Sequence, residues 1–280
     1  IHGQMTDWQN WNRVLPELAR RFHIFAVDCY GHGKSDRAPE KYTAVAHAAD
    51  MAQFLAQVVG EPAIVAGHSS GGLITAALAA RAPQWVRGVV LEDPPFFSSV
   101  LPRATKTFNY VDLSSAAHNF LESGETDFTA YYIRHGWVWD LFLRAKGFIQ
   151  GQALRYREAH PGQPVKLWFM PPVFNQMFQA LDRYDPRFGQ AFYDSSFHQD
   201  FDHAAVLQSI SVPAVLIHTK WSYDANGILL AAMDGDDAER ARSLIPDVEF
   251  IKVDSGHGYH FEKPGEFIRL VQAFARRLDA

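Results

Sequence analysis

The first feature of this chain that could do chemistry is a serine set between glycines. Gly67-His68-Ser69-Ser70-Gly71 fits the pattern G-x-S-x-G. The apolar run Ala63-Ile64-Val65-Ala66 leads into it, and a stretch rich in alanine and leucine follows to about Ala82. A strand, a sharp turn and a helix in that order strain the serine so that its hydroxyl projects above a sheet as a nucleophile. Glycines two residues away on either side are needed because a Cβ there would collide with the neighbouring strand and helix. The N–H of Ser70, at the positive end of the following helix, would face an oxyanion. Ser70 is the rival hydroxyl but lacks glycines at the right offsets on both sides. A glycine-rich turn can also bind phosphate; the strand–turn–helix context favours Ser69 as a nucleophile.

A serine needs a base, and thirteen histidines offer one. His257 follows Gly256 directly after an apolar run and precedes a closing helix, so it can swing over the serine turn and take its proton. His260 reads as locally hydrogen-bonded, His32 in Gly31-His32-Gly33 as a turn residue, and His68 as packing for the serine turn. The base in turn needs a carboxylate to fix its tautomer. Glu92 closes a strand of buried residues, where an acid is costly unless paired, and is the preferred candidate. Asp224 and Asp93 are the alternatives. Ile1-His2-Gly3-Gln4 reads as a strand end and glycine turn, so an N–H at Gln4 or Met5, after Gly3, could pair with that of Ser70 in a two-donor oxyanion hole.

Elements must position these groups, and the sequence spaces them as βαβ units. Trp11, Leu15 and Leu18 have helical spacing over Trp8 to Arg20, with Thr6 or Asp7 as N-cap. Phe22 to Val27 reads as a strand ended by Asp28, Val45 to Val59 as a helix, and Val89-Val90-Leu91 as a strand ending at Glu92. Pro213 to His218 and Val248 to Val253 are further strands, and Pro264 to Leu278 is a closing helix. Between them, residues 95–212 lack clean strands, break at Pro161, Pro171-Pro172 and Pro186, and hold 23 of the 38 aromatics in 118 residues. The expected fold class is α/β, a mostly parallel sheet flanked by helices. The core comprises residues 1–94 and 213–280, with a helical, aromatic-rich cap over 95–212.

In this order, His2-Gly3, the loop Tyr30-Gly31-His32-Gly33-Lys34-Ser35-Asp36, the Gly67 to Gly72 turn and Gly256-His257 resemble the α/β-hydrolase superfamily. The resemblance implies a cofactor-free serine hydrolase whose lid is the aromatic insertion and whose early strands precede Ile1. In most of that superfamily the acid follows the strand ending at His218, which points to Asp224; in some branches it lies at the end of the strand after the serine helix. Val90-Leu91-Glu92-Asp93-Pro94-Pro95-Phe96-Phe97, with Tyr184-Asp185-Pro186 and Ala191-Phe192, is similar to the zearalenone lactone hydrolases, and this implies a lactonase with its acid at Glu92. A receptor or a C–C bond hydrolase on the same fold is the alternative function.

Composition narrows the partners. Hydrophobic content of 48% with 20% charged residues is globular and excludes disorder and coiled coil. No apolar run approaches the roughly 20 residues of a bilayer span. A net charge of −5 argues against a nucleic-acid backbone as partner. The single Cys29 excludes an internal disulfide or a cysteine-rich zinc site. A soluble, cytoplasmic protein is expected, compatible with a homodimer, and an upstream segment is expected before Ile1. His198-Gln199-Asp200-Phe201-Asp202-His203 lacks metal-site spacing, Asp234 to Asp237 reads as a turn capping a helix from Ala238, and no phosphate-loop motif occurs, so neither metal nor cofactor is expected. Phe96, Phe97, Trp137, Trp139 and Phe192 are candidate pocket residues. Arg103, Arg134 and Arg144 form no evident anion cluster, which leans toward a neutral, apolar ester or lactone, a zearalenone-type macrolactone as the specific expectation.

Overall fold

The computed structural model describes residues 1–280. Four parallel strands, β1 (Ala63–His68), β2 (Val86–Glu92), β3 (Ala214–His218) and β4 (Val248–Lys252), lie side by side in sequence order. Their run of valine, isoleucine and leucine suits strands covered on both faces. Every residue of β3 and all but one of β2 are buried. The β1–β2 register sets His68 opposite Glu92, and the β2–β3 register sets Glu92 opposite Ile217.

Helices cover the sheet. Near the start, α1 (Leu15–Leu18) is a single turn, followed by α2 (Ala44–Phe54) and α3 (Ser70–Arg81). Helix α3 is buried from Ser70 to Ala79, which its alanine, glycine and leucine content permits on all sides. Between β2 and β3 the chain is helical: α4 (Ser115–Ser123), α5 (Phe128–His135), α6 (Lys146–Ala159), α7 (Pro172–Leu181), α8 (Pro186–Tyr193) and α9 (His203–Gln208). Pro172 and Pro186 begin helices there, where a missing N–H costs nothing, and Asp185 caps α8 through the Arg187 N–H. After β3 come α10 (Gly235–Leu244), α11 (Tyr259–Glu262) and the amphipathic α12 (Pro264–Asp279). No helix is long and apolar enough to cross a membrane.

Three local expectations need correction. Phe22 to Val27 form no strand, because no neighbouring backbone pairs with them in a ladder; an apolar groove of about 460 Å³, lined by these residues and by Ile64 to Ala66, lies there instead. The helix expected over Trp8 to Arg20 is a 3-10 turn at Trp8–Trp11, capped by Asp7, followed by α1. Pro16 confines α1 to a start at Leu15, since its ring excludes an earlier turn. Helix α10 starts at Gly235, because the Asp234 carboxylate accepts the Asp237 N–H and caps it there.

Helix α12 seals one face of the sheet through Phe267, Val271 and Phe274, as its heptad-like spacing predicts. The Phe267 ring lies 5.8 Å from Trp11 and 5.9 Å from His260, so this packing reaches the loop that carries His257. Phe267→Ala is expected to cost about 3–5 kcal/mol, read as a lower urea midpoint with an unchanged slope.

Candidate active site

The serine turn is built by close approach. Ser69 has φ 56° and ψ −125°, a conformation that a non-glycine residue holds only under constraint. Its N–H donates to the Glu92 carbonyl at 2.9 Å, which ties the turn to the end of β2. A Cβ on Gly67 would stand 2.2 Å from Thr75 Oγ1, and one on Gly71 would stand 2.4 Å from the His2 carbonyl. Both glycines are therefore steric requirements, as their spacing predicts. The Ser69 side chain does not cap α3, so its hydroxyl remains available.

The segment after His2 passes directly over this turn, and a Cβ on Gly3 would lie 3.0 Å from that of Ser69. Met5 donates its N–H to His32 Nε2 at 3.3 Å, so of the two expected donors Met5 is already engaged. Gln4 retains its N–H, and Ser70, first in α3, has no intrahelical partner for its own. Two buried histidines hold this segment. His2 donates from Nδ1 to the Gly3 carbonyl at 2.8 Å and accepts the Cys29 N–H at Nε2. His32 donates from Nδ1 to the Tyr30 carbonyl at 3.0 Å. Burial lowers His2 to about 3 and His32 well below the usual histidine value, so both stay neutral and keep these tautomers. The Gln4 side chain donates to Tyr184 of the helical segment at 3.0 Å.

The expected pairing of Glu92 with His257 does not form. His257 donates from Nδ1 to Asp93 Oδ2 at 2.7 Å, and Thr219 donates its hydroxyl to the same oxygen at 2.7 Å. Asp93 is wholly buried and sits at φ 44°, the residue where the chain turns out of β2. Glu92 and Asp93 therefore face different ways, and the Glu92 carboxylate meets the His260 ring at 2.9 Å. Asp224 is remote from this pairing; its carboxylate folds back on the N–H groups of Asn226 and Ile228, each at 2.8 Å. Desolvation disfavours a charge on His257. The hydrogen bond and charge of Asp93, with Glu92 and Glu262, outweigh it and raise its pKa above the ordinary value of 6.5.

His257 stands beside the serine turn. Its ring is 4.5 Å from that of His68, the residue before Ser69, and its carbonyl accepts His68 Nε2 at 3.0 Å. No hydrogen bond joins Ser69 to His257 in this resting arrangement, as is common for nucleophile–base pairs before substrate is bound. His68, desolvated and facing His257 and His260, is held well below the usual histidine range and stays neutral. The arrangement brings together a strained serine, a histidine oriented by a buried acid, and two free N–H groups.

The candidate pocket aromatics divide. Phe96, Trp139 and Phe192 are wholly buried: Trp139 stacks on Phe178, Phe192 stacks on Phe197, and Phe96 packs edge-on to His203. They are core residues, because rings so enclosed have no face left for a ligand. Phe97 lies under Arg240, and Trp137 is half-buried against Phe108. His203 and His198 meet each other at 3.2 Å, and no cluster of three or more metal-ligating side chains occurs. Arg103 is held by Asp234 and Asp237, and Arg134 by Glu125.

Known proteins share this architecture. Residues 1–264 match the family described as the alpha/beta hydrolase fold, and the chain belongs to that family. It is 39% identical over 95 residues to a 2-hydroxymuconate semialdehyde hydrolase of Pseudomonas sp. (strain CF600), covering 32% of this chain and 34% of that protein. It is 33% identical over 128 residues to Lipase LipV of Mycobacterium tuberculosis, covering 45% and 46%. The chain spans less than half the length of the curated relatives it matches. The structure described as "Est816 as an N-Acyl homoserine lactone degrading enzyme" superposes with a TM-score of 0.64 at 20% identity, over 98% of this chain and 91% of that one.

The two neighbouring histidines should titrate apart. In a proton NMR titration, His257 is expected to change charge above pH 6.5 while His68 remains neutral there and titrates well below it. Asp93→Asn removes the main support for the cation and should bring the His257 transition down. An unchanged transition would place the supporting charge elsewhere.

Proposed function

We propose that this chain is a serine hydrolase of bulky apolar carboxylic esters or lactones, working through an acyl-enzyme on Ser69. The observation that carries this reading is the buried Asp93 carboxylate, 2.7 Å from His257 Nδ1, beside a serine held at φ 56°. With Nδ1 committed to Asp93, the lone pair of His257 Nε2 is the base for the Ser69 proton. Ser69 Oγ attacks the carbonyl carbon as its proton passes to His257. The N–H groups of Gln4 and Ser70 receive the developing oxyanion. Collapse expels the alkoxide, which takes the proton from His257; in a lactone the ring opens and both ends remain in one molecule. Water, deprotonated by His257, then releases the acid and restores Ser69. Asp93 takes the orienting role for which Glu92 was the first choice.

The substrate class rests on the helical segment between β2 and β3. Its aromatic density speaks for a large apolar substrate over a small polar one. Arg103, Arg134, Arg157 and Arg187 are each paired with acids, which leaves them less available to an anionic ligand. That favours a neutral, ring-containing ester. The fold shared with an N-acyl homoserine lactone degrading enzyme is compatible with a lactone, and a zearalenone-type macrolactone is the specific proposal.

Incubation with macrolactones, phenolic esters and short acetyl esters, followed by mass detection of added water, tests both levels. Ser69→Ala should abolish turnover. Asp93→Asn should lower kcat about 10⁴-fold, as loss of a triad acid does elsewhere, and Asp224→Asn should change it less than about twofold. Turnover by Ser69→Ala at the parent rate refutes the mechanism. Short esters cleaved far faster than every lactone would refute the substrate class alone.

A further inference from the structure

A second acid–histidine pair lies beside the first. Glu92 and His260 are each buried, with side-chain exposures of 1% and 0%. Glu92 Oε1 accepts both the backbone N–H of His260 at 3.0 Å and its Nδ1 at 2.9 Å. His260 Nε2 faces the Asn10 carbonyl at 3.0 Å. Each ring nitrogen of His260 therefore faces an acceptor oxygen, one of the carboxylate and one of the Asn10 backbone. The Trp11 ring covers one face of the imidazole at a centroid distance of 4.1 Å.

Stability alone does not account for this pair. A buried ionisable pair can commonly be replaced by apolar side chains of similar volume without loss, because its desolvation cost offsets its attraction. Its position offers another reason. His260 is three residues beyond His257, and the arc between them is pinned at both ends. At one end the His257 carbonyl accepts His68 Nε2; at the other Glu92 holds the backbone and ring of His260. The Gly256 N–H, just before the arc, donates to Glu262 at 2.8 Å. The His257 ring projects from an arc with little freedom to turn.

We propose that Glu92 is a positioning residue for the reaction, acting through His260 to fix the arc that presents His257 to Asp93 and Ser69. This rests on the proposed serine mechanism, and the test separates the two. A fluorophosphonate phosphonylates an activated serine with loss of fluoride, so it reports activation whatever the natural substrate. The parent should be labelled and Ser69→Ala should not; failure of either overturns the underlying mechanism. If both hold, Glu92→Leu should lower the maximal labelling rate about 30-fold or more, with the half-saturating concentration within about twofold. Glu92→Gln keeps an acceptor for the His260 N–H and Nδ1 and should recover about tenfold of that loss.

The double variant Glu92→Leu/His260→Phe guards against simple misfolding, since it replaces the pair with apolar groups packed under Trp11. It is expected to regain parent-like resistance to urea yet label slowly. Parent-like labelling in the double variant or in Glu92→Leu would overturn the positioning role and leave the serine mechanism intact.

Discussion

The site depends on one constraint, the parallel register of β1 and β2. Setting His68 opposite Glu92 lets the next residue along each strand leave the sheet at the same carboxyl end, Ser69 from one and Asp93 from the other. The Ser69 N–H then donates to the Glu92 carbonyl, and the Asp93 N–H donates to the Ile217 carbonyl of β3. Both residues take positive φ at that step. Two strained turns held by sheet hydrogen bonds hold their side chains more firmly than surface loops would. A slip of one residue would send Ser69 and Asp93 to opposite faces.

Much of this was legible in the sequence because it follows from sterics. Gly67 and Gly71 announce the turn, apolar runs announce β1 to β4, and Gly256-His257 before a closing helix announces the histidine. The choice between Glu92 and Asp93 was not legible. Both end the same strand, and the cost of burying an acid marks a pair without naming its partner. Only the turn of the chain at Asp93 decides which carboxylate faces His257. His260 read as a locally bonded histidine, yet its partners are Glu92, 168 residues away, and Asn10, 250 residues away. The helix over Trp8 to Arg20 failed at Pro16, a signal that was present and outweighed by periodicity.

Aromatic content was legible as density but not as placement. The two indoles expected in the pocket show why. Trp139 is enclosed, its Nε1 donating to the Tyr132 carbonyl at 2.9 Å, whereas Trp137 keeps a partly open face. Two residues on a tight helical turn diverge enough to separate core from surface. Aromatic packing in the helical segment also reaches the core: His32 meets Tyr184 and Phe188, so the histidine that holds Met5 rests on the same rings that organise α8.

The buried histidines have a further consequence, for the chain's tolerance of acid. Burial depresses His2 to about 3, His203 to about 3 and His198 to about 4, with His32, His47 and His68 also lowered. Unfolded, each would bind its proton near pH 6.5. A base whose folded pKa is depressed contributes stability that is full above pH 6.5 and is lost as the pH falls toward the folded value. His257, with its raised pKa, works in the opposite sense but is a single group. Unfolding in acid is therefore a proton-absorbing reaction, and several histidines that share one fold take up their protons together. The same neutrality that keeps tautomers fixed around Gly3 and Ser69 makes the whole molecule less stable as the pH falls below about 6.5.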